Sequence, residues 1–272
     1  MAAPEIFFLP IGGGQRFCIY HPPQAPVERG AVLYVHPFAE EMNKARRMAA
    51  LQSRALAAAG YAVLQIDLLG CGDSSGDFGD ATWDGWKLDV MAAVVWLRQR
   101  TEAPLILWGL RAGCLLAANV AVDLLERPNF IFWQPVLSGK QHWQQFMRLK
   151  AVAELASGRG KEILEALRVQ LDSGEGVEIA GYGIGQDLVR GLEKSELAPL
   201  HGPEGHVAWF ELSSRPDGRI APASSQRIDQ WRSAGFAVLA TPVEGPAFWQ
   251  TSEIEVAPQL IDSTLAAVRF WQ

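Results

Sequence analysis

The sequence predicts one α/β domain built on a mostly parallel sheet of eight strands, with helices on both faces and a helical insertion late in the chain. Three observations carry this expectation. Short runs of apolar, β-branched or aromatic residues recur, amphipathic helical patterns separate them, and one stretch has helical patterns without a core strand. The 272 residues contain no linker-like tract, so residues 1–272 are expected to share a single core.

The expected strands are Phe7 to Pro10, Phe17 to Tyr20, Ala31 to His36, Ala62 to Asp67, Leu105 to Gly109, Phe130 to Trp133, Val207 to Leu212 and Ala237 to Thr241. The first two are expected to form an antiparallel edge. Trp83, Trp86, Val90, Val94 and Leu97 repeat at helical spacing, as do Leu260, Ile261, Leu265 and Val268. Gly60 and Gly235 each follow a helical pattern and precede a strand, where a left-handed cap is expected. From Gly139 to Gly205 the patterns Trp143 to Leu155, Lys161 to Leu171 and Asp187 to Leu192 read as a helical cap; it lacks a sheet of its own on which to build a separate core.

Composition excludes several functions. A formal charge of −6 argues against a nucleic-acid partner, because phosphate neutralisation needs a basic face, and the cluster Lys44, Arg46, Arg47 reads as a solvated helix face. Three cysteines without CxxC spacing imply a reducing compartment rather than a disulfide framework. No basic-then-apolar leader opens the chain, and no apolar run is long enough to span a membrane, so a cytoplasmic location is expected. His201-Gly202-Pro203-Glu204-Gly205-His206 lacks the spacing of a zinc motif, and neither a metal nor a cofactor is expected.

The chemistry centres on Leu107-Trp108-Gly109-Leu110-Arg111-Ala112-Gly113, which follows the fifth strand and opens a helix. Glycines on both sides of a sharp strand-to-helix turn let it project one side chain into a cleft, as in the nucleophile elbow of the α/β-hydrolase fold. GxSxG has become GxRxG, with Arg111 at the apex. His36-Pro37-Phe38, after the third strand, stands where such proteins carry the loop that supplies one oxyanion donor, the second coming from Ala112. The glycine-rich loop Asp67 to Gly76 reads as structural.

Asp217, in a Pro-Asp-Gly turn after the seventh strand, matches the acid position of a triad and equally matches an ordinary turn. The loop Pro242 to Trp249, where the histidine belongs, contains none. Losing the serine or histidine of such a triad costs roughly a millionfold in turnover. Arginine cannot replace the serine, because its guanidinium stays protonated and offers no lone pair.

At a helix N-terminus, Arg111 is instead suited to an anion, a carboxylate or phosphate. The alternative is an internal ion pair with Glu40, Glu41 or Asp217. Cys114 reads as a buried helix residue. Trp143 and Trp249 are candidate walls of an apolar cleft.

His36-Pro37-Phe38-Ala39-Glu40-Glu41-Met42-Asn43-Lys44, Asp67 to Gly79, Trp108 to Gly113, Trp133 to Val136 and Val177 to Tyr182 together resemble the exosortase A system-associated hydrolase 2 family. That resemblance implies a cytoplasmic α/β-hydrolase-like protein of an exopolysaccharide system, and an acyl ester or thioester as ligand class, free or on a carrier protein. Three functions stay open. One is a binder of an acyl or anionic ligand with a degenerate triad, the ligand held by Arg111, Ala112, Phe38, His36, Glu40 and Glu41. Another is an esterase or thioesterase using Ser74 or Ser138 with His36 or His142, and the third an interaction module acting through its cap.

Overall fold

The computed structural model describes residues 3–153, 160–200, 205–215 and 217–271. The strands are β1 (Glu5–Ile11), β2 (Gly14–His21), β3 (Gly30–Val35), β4 (Tyr61–Ile66), β5 (Leu105–Leu110), β6 (Asn129–Trp133), β7 (Val177–Ile179), β8 (Tyr182–Ile184), β9 (Gly205–Ser213) and β10 (Phe236–Glu244). The helices are α1 (Glu40–Ala58), α2 (Trp83–Arg98), α3 (Ala112–Ala121), α4 (Gly139–Ala153), α5 (Gly160–Asp172), α6 (Gln186–Lys194), α7 (Pro222–Ser233) and α8 (Pro258–Val268). A 3-10 turn covers Phe78–Asp80.

Eight strands form one sheet in the order β1-β2-β4-β3-β5-β6-β9-β10. β1–β2 and β2–β4 pair antiparallel, so β1 and β2 are the antiparallel edge, and along this order each further pair out to β10 is parallel. All eight fall where the apolar runs predict them. β3 and β5 are buried at every residue, which is why their sequences are continuous apolar runs rather than alternating ones.

Alternate residues serve two cores. Val32, Ile106, Ile131 and Trp133 face α1 and α8, while Leu33, Leu107, Phe130 and Phe132 face the side that receives Trp86, Leu115 and Trp231. The stripe Trp83, Trp86, Val90, Val94, Leu97 is buried along α2, whose start is capped by Thr82 accepting from the Gly85 N–H at 2.9 Å. Gly60 and Gly235 take φ of 99° and 97°, the left-handed caps expected of them.

Between β6 and β9 the chain adds α4, α5, the β7–β8 hairpin and α6. The hairpin was not anticipated, because strands of three residues are too short to show a period; the turn Ala180-Gly181, with φ of 53° and 83°, makes it. Tyr182 on β8 packs against Phe78, 5.0 Å between ring centres, and its hydroxyl donates to Glu40 Oε2 at 3.0 Å. The hairpin is thereby tied to the start of α1. Among the described residues no helix is long and apolar enough to cross a membrane.

The basic cluster on α1 corrects the sequence reading. Arg47 is exposed, but Lys44 donates to the Thr251 carbonyl at 2.6 Å and Arg46 reaches the buried Asp67 carboxylate at 2.7 Å. Asp67 Oδ2 also accepts from the Asp73 N–H, and Ser74 Oγ donates to the Asp67 carbonyl while accepting from Phe17 N–H. The loop after β4 is thus tied to β2 by Ser74, which fits the structural role expected of it.

Candidate functional site

The turn from β5 to α3 has the geometry its glycines imply. Arg111, the residue before α3, sits at φ 55° and ψ −121°, a sparsely populated region for a side-chain-bearing residue that costs about 1–3 kcal/mol. A Cβ on Gly113 would stand 2.2 Å from the Val35 carbonyl oxygen, and one on Gly109 would stand 2.6 Å from the Cys114 backbone. Only glycine permits β5, α3 and the end of β3 to approach this closely. Ala39, before α1, adopts the same kind of strained turn at φ 50° and ψ −130°. Two helices therefore start at enforced turns, and the residues just after or at those turns line one cavity.

That cavity has a volume of about 330 Å³ and is walled by Phe38, Glu40, Glu41, Lys44, Arg111, His142, Gln145, Phe146, Leu149, Trp249 and Gln250. α4 contributes His142, Phe146 and Leu149, spaced i, i+4, i+7 on one helical face. Phe38 packs edge-on to both His142 and Phe146, with ring centres 5.9 and 5.1 Å apart. The loop after β10, which has no histidine, delivers Trp249, whose ring lies 5.5 Å from the Arg111 guanidinium carbon. Trp143, also expected as a wall, is instead buried behind it, stacked on Phe146.

Arg111 makes the internal ion pair weighed from sequence. Its partner is Glu41, through Nε to Oε1 at 3.2 Å. Glu40 is taken up by Tyr182 and Asn43. Nε is the only atom of the guanidinium with a hydrogen-bond acceptor among the described residues, so the Nη1/Nη2 fork is uncommitted. Glu41 Oε2 is buried without a hydrogen-bond partner among the described residues, and burial raises the Glu41 pKa, opposed by Arg111. His142 is 5% exposed, and neither ring nitrogen has a partner among the described residues. Burial, reinforced by the Arg111 charge, lowers its pKa to about 3, so it is neutral, one nitrogen carrying a hydrogen and the other a free lone pair.

The remaining candidates fall into place around this cavity. His36 is buried outside the wall, its Nδ1–H donating to the Pro37 carbonyl at 2.8 Å and its Nε2 accepting from Leu68 N–H at 3.2 Å. Burial lowers its pKa, and both nitrogens are committed to holding the loop. Ala112 opens α3, and neither its N–H nor that of Phe38 has a backbone acceptor among the described residues. Asp217 is an exposed turn residue and is not part of the cavity wall.

A buried carboxylate that the sequence did not single out is Glu211. It accepts from Ala221 N–H at 2.9 Å and from Trp209 Nε1 at 3.2 Å, which fixes the loop carrying Asp217. Ser75 is bonded to the Gln15 backbone, and Cys114 is buried with its thiol pKa raised well above the ordinary range by burial. Among the described residues no hydroxyl or thiol hydrogen-bonds a histidine ring. His201 to Glu204 lie outside the described residues; His206 stacks on Trp271. No group of three or more metal-ligating side chains occurs among the described residues.

Two larger depressions, of about 580 and 660 Å³, lie beside Arg29 and Arg269 and between α2 and α6. Neither wall includes a buried side-chain atom that lacks a partner. The cavity over Arg111 has two such side chains.

A family model described as serine aminopeptidase, S33 (Hydrolase_4) matches residues 26–181. Among curated proteins, none matches this sequence. Several solved structures superpose over nearly the whole chain. Est1E from Butyrivibrio proteoclasticus with ferulic acid bound has a TM-score of 0.60 at 13% identity, covering 97% of this chain and 99% of that one. A soluble variant of monoglyceride lipase from Saccharomyces cerevisiae, in complex with a substrate analogue, has a TM-score of 0.62 at 14% identity over 98% and 96%. A highly thermostable carboxyl esterase from Bacillus coagulans, in complex with glycerol, has a TM-score of 0.61 at 14% identity over 98% and 100%. At these identities the likeness establishes the α/β-hydrolase fold and nothing finer.

Proposed function

The chain belongs to the serine aminopeptidase S33 family of α/β-hydrolases, and we propose that this member binds an acyl carboxylate at Arg111 and has lost serine-type hydrolysis. The observation that carries the reading is the uncommitted Nη fork of Arg111, at the apex of the strained turn and beneath apolar walls. The fork matches a carboxylate bidentately, while Phe38, Phe146, Leu149 and Trp249 suit an acyl or aryl tail. The ion pair and the ligand do not compete, because Glu41 holds Nε alone. The Ala112 and Phe38 N–H groups, in the places of an oxyanion hole, add donors beside the turn.

Under this reading residues 139–205 act as a cap, with α4 closing over the ligand tail. The triad is degenerate, since Arg111 offers no nucleophile and the loop after β10 carries Trp249 in place of a histidine. The replacement nucleophile Ser74 is engaged with Asp67 and Phe17, which counts against an esterase rebuilt on it. The resemblance to the exosortase A system-associated family supports a role in exopolysaccharide biosynthesis, with the acyl group free or carrier-bound.

Calorimetric titration with 3-phenylpropanoate and octanoate tests the reading. Both are expected to bind wild type and to bind Arg111→Ala about 10- to 100-fold more weakly, the value of a charge-assisted bidentate contact. Equal affinity for the variant, or labelling of the wild type by a fluorophosphonate with turnover of short acyl esters, overturns it.

A further inference from the structure

We propose that the outward face of α2 is a two-fold interface between copies of this chain. α2 buries one stripe against the sheet and yet does not turn polar on its outer side. Leu88 and Val95 are 60% and 58% exposed, Met91 and Ala92 are partly exposed between them, and the spacing i, i+3, i+4, i+7 puts all four on one face. The face turns polar at its ends, with Asp84 before it and Gln99 after it. Val122 and Leu125, in the loop after α3, are exposed as well. That loop is held against α2 by two ion pairs, Lys87 with Asp123 at 2.7 Å and Arg98 with Glu126. Apolar surface gathered in this way marks a place of association.

A second copy is the occupant that the pattern fits. The face reads nearly the same in both directions about the point between Met91 and Ala92, with Leu88 matched by Val95 and Asp84 by Gln99. An antiparallel helix related by a two-fold axis through that point sets Leu88 against Val95 of the second copy, and Asp84 against its Gln99, twice over. Charge follows the same symmetry. Lys87 and Arg98, spaced i, i+11 or about three turns, flank the face on one side. Reversing the second helix brings each Lys87–Asp123 pair alongside an Arg98–Glu126 pair, with positive and negative ends alternating. All four side chains are partly exposed and free to form the cross-pairs.

The size of the face sets the strength of the contact. α2 has 16 residues and is about 24 Å long. With the 122–126 loop beside it the strip is roughly 20 Å wide, which comes to about 1,000 Å² over two copies, the lower bound for a specific interface. A reversible dimer in the micromolar range follows. The sheet edges are poorer places to associate, because β1 carries Pro10 and β10 carries Pro242, and each proline removes a donor from its strand.

Sedimentation velocity of the full chain between about 5 and 500 µM is expected to show wild type passing from monomer to dimer. Leu88→Lys/Val95→Lys, checked for folding by its thermal melt, is expected to associate at least about tenfold more weakly. Orientation is tested by mild oxidation of single-cysteine variants. A mixture of Leu88→Cys and Val95→Cys is expected to cross-link, and Leu88→Cys alone is not, because the two Leu88 positions of an antiparallel pair lie about 10 Å apart along the helices. Cys18, Cys71 and Cys114 are buried and take no part. A wild type that stays monomeric throughout overturns the proposal. So does a dimer untouched by the double lysine variant, or Leu88→Cys cross-linking alone as fast as in the mixture.

Discussion

Acidification exposes the cost of holding His142 neutral, and the cost can be worked from its surroundings. The ring is 5% exposed, has no hydrogen-bond partner among the described residues and stands near Arg111; its pKa falls from 6.5 to about 3. In the unfolded chain the same ring protonates near 6.5. Between those two values the unfolded state binds a proton that the folded state refuses, so stability is lost as pH falls through 6.5 toward 3. At 1.36 kcal/mol per unit, the loss between pH 7 and pH 5 is about 2 kcal/mol. His21 and His36, also lowered by burial, act in the same direction, while Glu41, raised by burial, acts in the opposite one. Urea unfolding of wild type and His142→Phe at both pH values isolates the His142 share. Wild type is expected to lose about 2 kcal/mol more than the variant over this interval. Parallel losses in the two proteins would refute the assignment of a neutral, unpartnered ring.

Two further substitutions probe the frame around the site. Gly113→Ala places a methyl 2.2 Å from the Val35 carbonyl oxygen, so β3 and α3 must separate; chemical denaturation should register a loss of about 1–3 kcal/mol together with weakened carboxylate binding. Asp89→Ala strands Arg16, which is 6% exposed and sits 2.8 Å from the Asp89 carboxylate, and is expected to cost about 3–5 kcal/mol in the same measurement. The Arg16→Met/Asp89→Leu double variant, which removes both charges, should recover most of that loss.

The eight-stranded sheet was legible because each of its strands carries a local signal. Ala31 to His36 and Leu105 to Gly109 are unbroken apolar runs, and Gly60 and Gly235 mark the helix ends by a conformation other residues avoid. The elbow was legible for the same reason, through Gly109 and Gly113. The hairpin β7–β8 was not, since six strand residues give no period. His142 and Trp249 were named from sequence only as a spare base and a candidate wall. A signal for the α4 face did exist, in the i, i+4, i+7 spacing of His142, Phe146 and Leu149. It could not say which cavity that face would cover.

By itself, the sequence determined the α/β architecture, the turn at Arg111 and the absence of a histidine in the loop after β10. These follow from local conformation and from residue identity, which need no knowledge of distant neighbours. Tertiary structure alone decided that Glu41, not Glu40 or Asp217, pairs with Arg111, and that it does so through Nε. It also decided that Asp217 is exposed while Glu211 is buried, and that His142 lines the same cavity as Arg111 with neither ring nitrogen partnered among the described residues. Those are outcomes of long-range packing. Glu41 lies 70 residues from Arg111 in sequence, and which side chain reaches a guanidinium depends on how α1, α3 and α4 settle against the sheet.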